Sequence, residues 1–289
     1  MVSATSGQSG SALALLRSLH SGMTPTEQKI SATVLADPET VLRLPVSDIA
    51  RRAGTSPAAV SRFTAKIGYR GLSDFKIALA LDLASGGIGD AGDIPSPQDT
   101  GDQVLAGIAR ENRQSIRDTL EIMSADTMGR AIARLGDARR IVVVGVGQMG
   151  YLAEDAAAKL TFAGRTATSS TDYVEQLALS RGLSPGDVLW CIAYEGTSPP
   201  VTYNAELAHR AGATVVAICR AGTSALSELA DIHLPISSRE GEWRSASSAA
   251  HVAIATVIDA LVSGLLTSSP AAAEAWRATG ELVRAEQLE

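Results

Sequence analysis

Aromatic residues are scarce in this sequence, 4% of 289, and cysteine is scarcer still, with two. A core short of Phe, Tyr and Trp has to be built from Ala, Val, Leu and Ile. The 45% apolar fraction supplies enough of these to bury one or two domains and excludes a disordered chain. Cys191 and Cys219 sit inside apolar, strand-like runs without CxxC spacing, which argues against a disulfide or a thiolate metal site and predicts buried free thiols. The four histidines are scattered and add no metal motif, and no other cofactor is expected. Long apolar runs are also missing. The longest, near His251 to Leu266, is interrupted by Asp259 and reads as too short to span a bilayer. The opening MVSATSGQSGSALALLRSLH has no basic stretch before its apolar one, unlike a secretory leader. These absences predict a soluble cytoplasmic protein with no membrane partner.

The net charge of −6 is the wrong sign for a nucleic-acid binder until it is mapped along the chain. From Arg43 to Lys76, seven cations (Arg43, Arg51, Arg52, Arg62, Lys66, Arg70, Lys76) meet two carboxylates, Asp48 and Asp74, so this window carries +5 and the remainder −11. Such segregation suggests a polyanion-binding module on an acidic carrier.

Within that window, VSDIARRAGTSPAAVSRFTAKI (46–67) reads as two short helices around a tight turn. Ser47 is the expected N-cap of the first, and Gly54 ends it with the positive φ such a turn favours. Ser56 is expected to cap the second, with Pro57 in its first turn, and Val60, Phe63 and Ile67 fall on one buried stripe. The opposite face carries Ala58, Ala59, Ser61, Arg62, Thr64 and Lys66. This is the pattern of a helix-turn-helix, whose second helix enters the major groove. Small residues at its start permit close approach. Arg62 and Lys66 can reach bases or phosphates, and Arg51, Arg52, Thr55 and Ser56 lie beside the backbone.

Three zones follow from patterning. Residues 1–83 are helical, 84–103 are a Gly/Pro/Ser/Asp-rich linker, and 104–268 begin with helices near 104–123 and 125–135 before changing character. From Arg140 apolar runs at 141–146, 166–170, 188–194, 214–219 and 231–236 alternate with helix-length stretches at 150–163, 173–182, 199–211 and 224–230. That order implies a five-stranded parallel sheet covered by helices on both faces. A long apolar helix over 245–266 and a helical tail, 269–289, with Trp276 and Leu282, complete the reading.

The segment from Thr24 to Ala80 closely resembles the N-terminal domain of RpiR-type regulators, through Glu27, Ile30, Pro38, Ile49, Ala50, Ser56, Val60, Arg62, Phe63, Gly68, Gly71, Phe75 and Lys76. In that family the helix-turn-helix precedes a SIS (sugar isomerase) domain, and residues 110–266 resemble one. PGDV (185–188), AHRAGATVVAI (208–218), ALSELADIHLPI (225–236) and the GEWRSASSAAHVAIATVIDAL region are SIS-like. GVGQMG (145–150) after the first strand fits the first SIS loop. It also fits a dinucleotide fingerprint, with Asp172 placed for a ribose.

The resemblance implies a phosphosugar site in two loops, the first with Gly145, Gly147, Gln148 and Met149, the second with Glu195, Gly196, Thr197 and Ser198. Glu242 is a rim candidate. The hydroxyls the family uses are depleted: Met149, Ala193 and Glu195 stand at expected serines, and an ionised glutamate repels a phosphate dianion. Three effector states fit: a non-phosphorylated or amino sugar held by Glu195, a phosphate with Glu195 turned away, or a vestigial pocket in a dimerising domain. Acid/base catalysis by Glu242 and His251 is the rival enzyme reading, as a phosphosugar isomerase, and NAD(H) sensing is a third. The expectation is a non-enzymatic regulator that binds a pseudo-palindromic operator as a homodimer or homotetramer and answers to a sugar-related effector.

Overall fold

The computed structural model describes residues 12–84, 100–237 and 247–286. Their contacts divide into two compact units.

The first unit is helical: α1 (Ala12–Leu19), α2 (Pro25–Ala36), α3 (Pro38–Arg43), α4 (Val46–Arg52), α5 (Pro57–Lys66), α6 (Leu72–Ala84) and α7 (Gly101–Ile122). Its core joins Leu13, Leu16, Ile30, Val34, Val41, Ile49, Val60, Phe63, Phe75 and Leu79. Local signals set the breaks. Thr24 and Glu27 form a capping box at the start of α2, and the Asp37 carboxylate accepts from Thr40 N at the start of α3.

Two boundaries depart from expectation. Ser47 is not the cap of α4. The Pro45 carbonyl accepts from the N–H groups of Asp48 and Ile49, so the helix begins at Val46 and Ser47 lies in its first turn. The linker composition also hides the start of α7. The Thr100 N–H donates to the Gln103 side chain (2.7 Å) and its carbonyl accepts from Val104, making Thr-Gly-Asp-Gln a helix start rather than coil. By its contacts α7 groups with the first unit, and Arg17 of α1 ties to Asp118 of α7 across 2.6 Å, both side chains buried.

The second unit contains α8 (Ala125–Asp137), β1 (Ile141–Val144), α9 (Gln148–Phe162), β2 (Ala167–Ser169), α10 (Tyr173–Arg181), β3 (Val188–Ile192), α11 (Pro199–Arg210), β4 (Thr214–Arg220), α12 (Ala225–Leu229), β5 (Ile232–Ile236), α13 (Ser247–Ser268) and α14 (Pro270–Glu286). The strands form one parallel sheet in the order β2-β1-β3-β4-β5. Alternate strand residues feed two cores. Ile141, Val143, Trp190 and Ile218 pack with α8, α9 and α13, while Val142, Val144, Cys191 and Cys219 pack with α10, α11 and α12. Both cysteines are buried free thiols. Burial pushes the Cys219 thiol up to about 11 and carries that of Cys191 higher still.

The run in α13 is longer than expected. Ala249–Ser268, 20 residues, is long and apolar enough to cross a membrane by length and composition alone. Half of that window is buried, its inner face (Ile254, Val257, Ile258, Leu261, Leu265) lying in the sheet core. On α14, Trp276 meets Phe162 edge-on at 5.9 Å, whereas Leu282 is exposed.

Candidate DNA interface and effector site

Between α4 and α5 the chain turns at Gly54, φ 61°, and Thr55 N donates to Ala50 O. Ser56 Oγ then accepts from Ala59 N at 3.2 Å, and Pro57 occupies the first turn of α5. Val60 and Phe63 are buried, which turns Ala58, Ser61, Arg62 and Lys66 outward. Ala59 is half-buried against the core. Thr64, expected on the outer face, is buried because it follows Val60 by one turn, and its hydroxyl donates to Ser61 O.

The cations of this unit differ sharply in availability. Lys66 Nζ donates to both carboxylate oxygens of Glu27 on α2, at 2.9 and 3.0 Å. Burial raises the Glu27 pKa, but the Thr24 N–H and the Lys66 ammonium outweigh it and hold the carboxyl below its ordinary range. Arg51 pairs with Asp48 at 2.8 Å, Arg52 with Asp37 at 3.7 Å, and Lys76 donates to Leu44 O. Arg62, exposed on the outer face of α5, makes no ion pair among the described residues, and the same holds for Arg43 and Arg70.

In the second unit the sheet order places the loops after β1 and β3 side by side at its topological switch point, the position where open α/β sheets take ligands. The β1–α9 loop is forced to be glycine-rich. A Cβ on Gly145 would lie 2.4 Å from Met149 O, and Gly147, φ 58°, is the N-cap of α9. Gln148 is exposed at the start of that helix. Met149, expected in the effector loop, instead buries its side chain in the core, and its N–H donates to Val146 O.

Sequence patterning gave no hint of Gln176. It is fully buried on α10, and its amide nitrogen donates to Gly145 O (2.8 Å) and Ser170 O (2.7 Å), holding the first loop from beneath. Asp172 is the N-cap of α10 and accepts from Glu175 N at 2.9 Å, so the carboxylate proposed for a ribose has a local structural partner.

After β3, Gly196 (φ 71°) brings the loop against Ser224. A Cβ there would lie 2.4 Å from Ser224 Oγ. Thr197 is exposed, and Ser198 is the N-cap of α11 without its hydroxyl capping the helix. Glu195 Oε2 lies 3.0 Å from Nη2 of Arg220, the last residue of β4. The pairing offsets the negative charge that argued against a phosphate ligand. A charge ending the apolar run TVVAICR was the available sign of Arg220, since strand C-termini in such sheets face the ligand crest. Glu242 lies outside the described residues, and His251 is half-buried near the start of α13.

A basic helix-turn-helix joined to a doubly wound α/β unit with paired loops at its switch point defines a two-part DNA-binding transcriptional regulator. Residues 10–86 match the rpiR-family helix-turn-helix model, and residues 134–264 match the SIS domain. An uncharacterized HTH-type transcriptional regulator of Caldanaerobacter subterraneus subsp. tengcongensis is 34% identical over 255 residues, covering 86% of this chain and 88% of that protein. The Vibrio vulnificus NanR protein, solved in complex with ManNAc-6P, superposes with a TM-score of 0.60 at 26% identity, over 94% of this chain and 97% of that one. The sugar isomerase domain of an RpiR transcription factor from Sphaerobacter thermophilus shares the fold, with a TM-score of 0.56 at 20% identity, over 62% of this chain and 99% of that one. The chain belongs to the RpiR family of transcriptional regulators.

Proposed function

We propose that this regulator binds a pseudo-palindromic operator as a homodimer or homotetramer and releases or retains it in response to a small sugar-related effector held by the SIS loops. The observation that carries the effector half is the pair of glycine turns on neighbouring strands, each opening into a helix. Backbone N–H groups and the positive ends of α9 and α11 there favour an anion, with Thr197 and Ser198 as hydroxyl donors. The ManNAc-6P bound by NanR supports the same chemical class. Arg62 carries the DNA half, as an exposed cation of α5 with no ion pair among the described residues. No turnover is proposed, because the named relatives are regulators.

The test is binding to DNA fragments flanking the chain's own gene at several salt concentrations, with amino sugars, sugars and their 6-phosphates added in turn. Sequence-selective binding that Arg62→Ala abolishes and one sugar class shifts is the expected result. Folded protein that selects no sequence even from a random pool would overturn the reading, and so would isomerisation of an added sugar phosphate.

A further inference from the structure

Nothing in the sequence pattern assigned Arg220 a role, yet its guanidinium stands 3.0 Å from Glu195, beside Gly196, Thr197 and Ser198. The two partners differ in how they meet solvent. The Arg220 side chain is 15% exposed, anchored on the last residue of β4, where its own N–H donates to Tyr194 O at 2.7 Å. The Glu195 side chain is 42% exposed and sits on a loop.

This asymmetry decides which partner can leave. A released Glu195 carboxylate regains water, whereas the largely buried guanidinium is held on β4 and stays largely shielded from it. We infer that Arg220 is the anion-recognising residue of the effector site and that Glu195 is its built-in competitor, displaced when the anionic group of a sugar derivative, a phosphate or a carboxylate, takes its place on the guanidinium. The inference rests on the effector site proposed above and deepens it: the ligand must be anionic, and Glu195 sets its threshold. An anion too weak to displace Glu195 leaves the sensor unoccupied, so the substitution at an expected serine tunes affinity and leaves anion binding possible.

The test measures binding of inorganic phosphate, gluconate and glucosamine 6-phosphate, with glucosamine as the cationic control, by calorimetry at fixed ionic strength on the full chain. Three variants accompany the wild type: Glu195→Gln, Arg220→Gln and Arg220→Lys. Glu195→Gln is expected to tighten the preferred anion at least tenfold. Arg220→Gln should weaken it at least tenfold, with partial recovery in Arg220→Lys. Preference for phosphate over gluconate, or the reverse, identifies the anionic group.

Changes of opposite sign at the two residues are not expected from damage to the loop, and equal thermal midpoints confirm folding. If anions bind but Glu195→Gln leaves them unchanged or weaker, the competitor role is overturned. If glucosamine alone binds and Glu195→Gln loses it, Glu195 holds the ligand directly and the inference fails while the effector site stands. If no probe binds wild type or variants and none shifts DNA binding, the effector-site reading itself fails.

Discussion

Glu27 is held by the Thr24 N–H and in turn holds Lys66, so a cation that sequence patterning directs toward DNA is already engaged within the domain. Arg62, one turn earlier on the same helix, has no such partner among the described residues. The two should therefore separate in a salt titration. Arg62→Ala is expected to lower the slope of log K against log[salt] by about 1 and to weaken specific binding by roughly 1–3 kcal/mol. Lys66→Gln should leave the slope nearly unchanged unless Glu27→Gln has first released the lysine; fluorescence anisotropy with labelled operator reads both. In the second unit, Gly196→Ala places a Cβ against Ser224 Oγ at a left-handed φ. A stability loss of about 2 kcal/mol or more is expected from the backbone conformation and the clash together. Effector response should vanish while DNA binding by the helix-turn-helix persists, and a DNA-binding loss of equal size would show that the substitution acts globally.

The recognition helix relies on its cap. Ser56→Ala removes the acceptor for Ala59 N and is expected to cost about 1 kcal/mol in urea unfolding. In the sheet, Asp187 closes the turn before β3. Its buried carboxylate accepts from Arg139 Nε (3.1 Å) and Nη2 (2.9 Å), from Arg140 Nη2 (3.3 Å) and from Ser184 N (2.9 Å). Burial alone would raise its pKa, but Arg139 and Ser184 outweigh burial and hold it below the ordinary 3.8. A lowered folded pKa means stability that is present above the unfolded value and lost as pH falls through the folded one. Asp187→Asn is therefore expected to destabilise the second unit by about 3 kcal/mol at pH 7. The gap between wild type and variant should close as pH falls below about 4, in denaturant midpoints followed by the buried Trp190. A gap that stays constant down to pH 3 would show that the charge contributes nothing.

At the scale of the whole molecule, regulation requires the effector to bind two quaternary states unequally, because a ligand indifferent to the states shifts nothing. Sedimentation equilibrium is expected to give an even number of protomers. Footprinting should show two half-sites whose centres are about 10 bp apart or a multiple of that, the spacing that puts two recognition helices on one face of the duplex. A monomer that footprints one isolated half-site would remove the symmetric reading.

Much of this architecture was legible in the sequence because it follows from local periodicity and local steric rules. All five strands and the helices between them were readable from apolar runs and 3.6-residue spacing, and Gly54, Ser56 and Pro57 marked the turn of the helix-turn-helix. Each signal spans only a few residues, so the chain states it directly. Where composition misled, at Thr100 to Gln103, a helix start carried the residues of a linker. The pairings that define the sites were out of reach: Lys66 with Glu27, 39 residues apart, Gln176 with Gly145, 31 apart, and Arg220 with Glu195. Those contacts exist because the strand order β2-β1-β3-β4-β5 and the helix packing bring distant segments together. Thus the fold, the family and the helix-turn-helix could be read from the chain alone. Which charges are already neutralised emerged with folding, because neutralisation depends on which charges meet in space and which lose water.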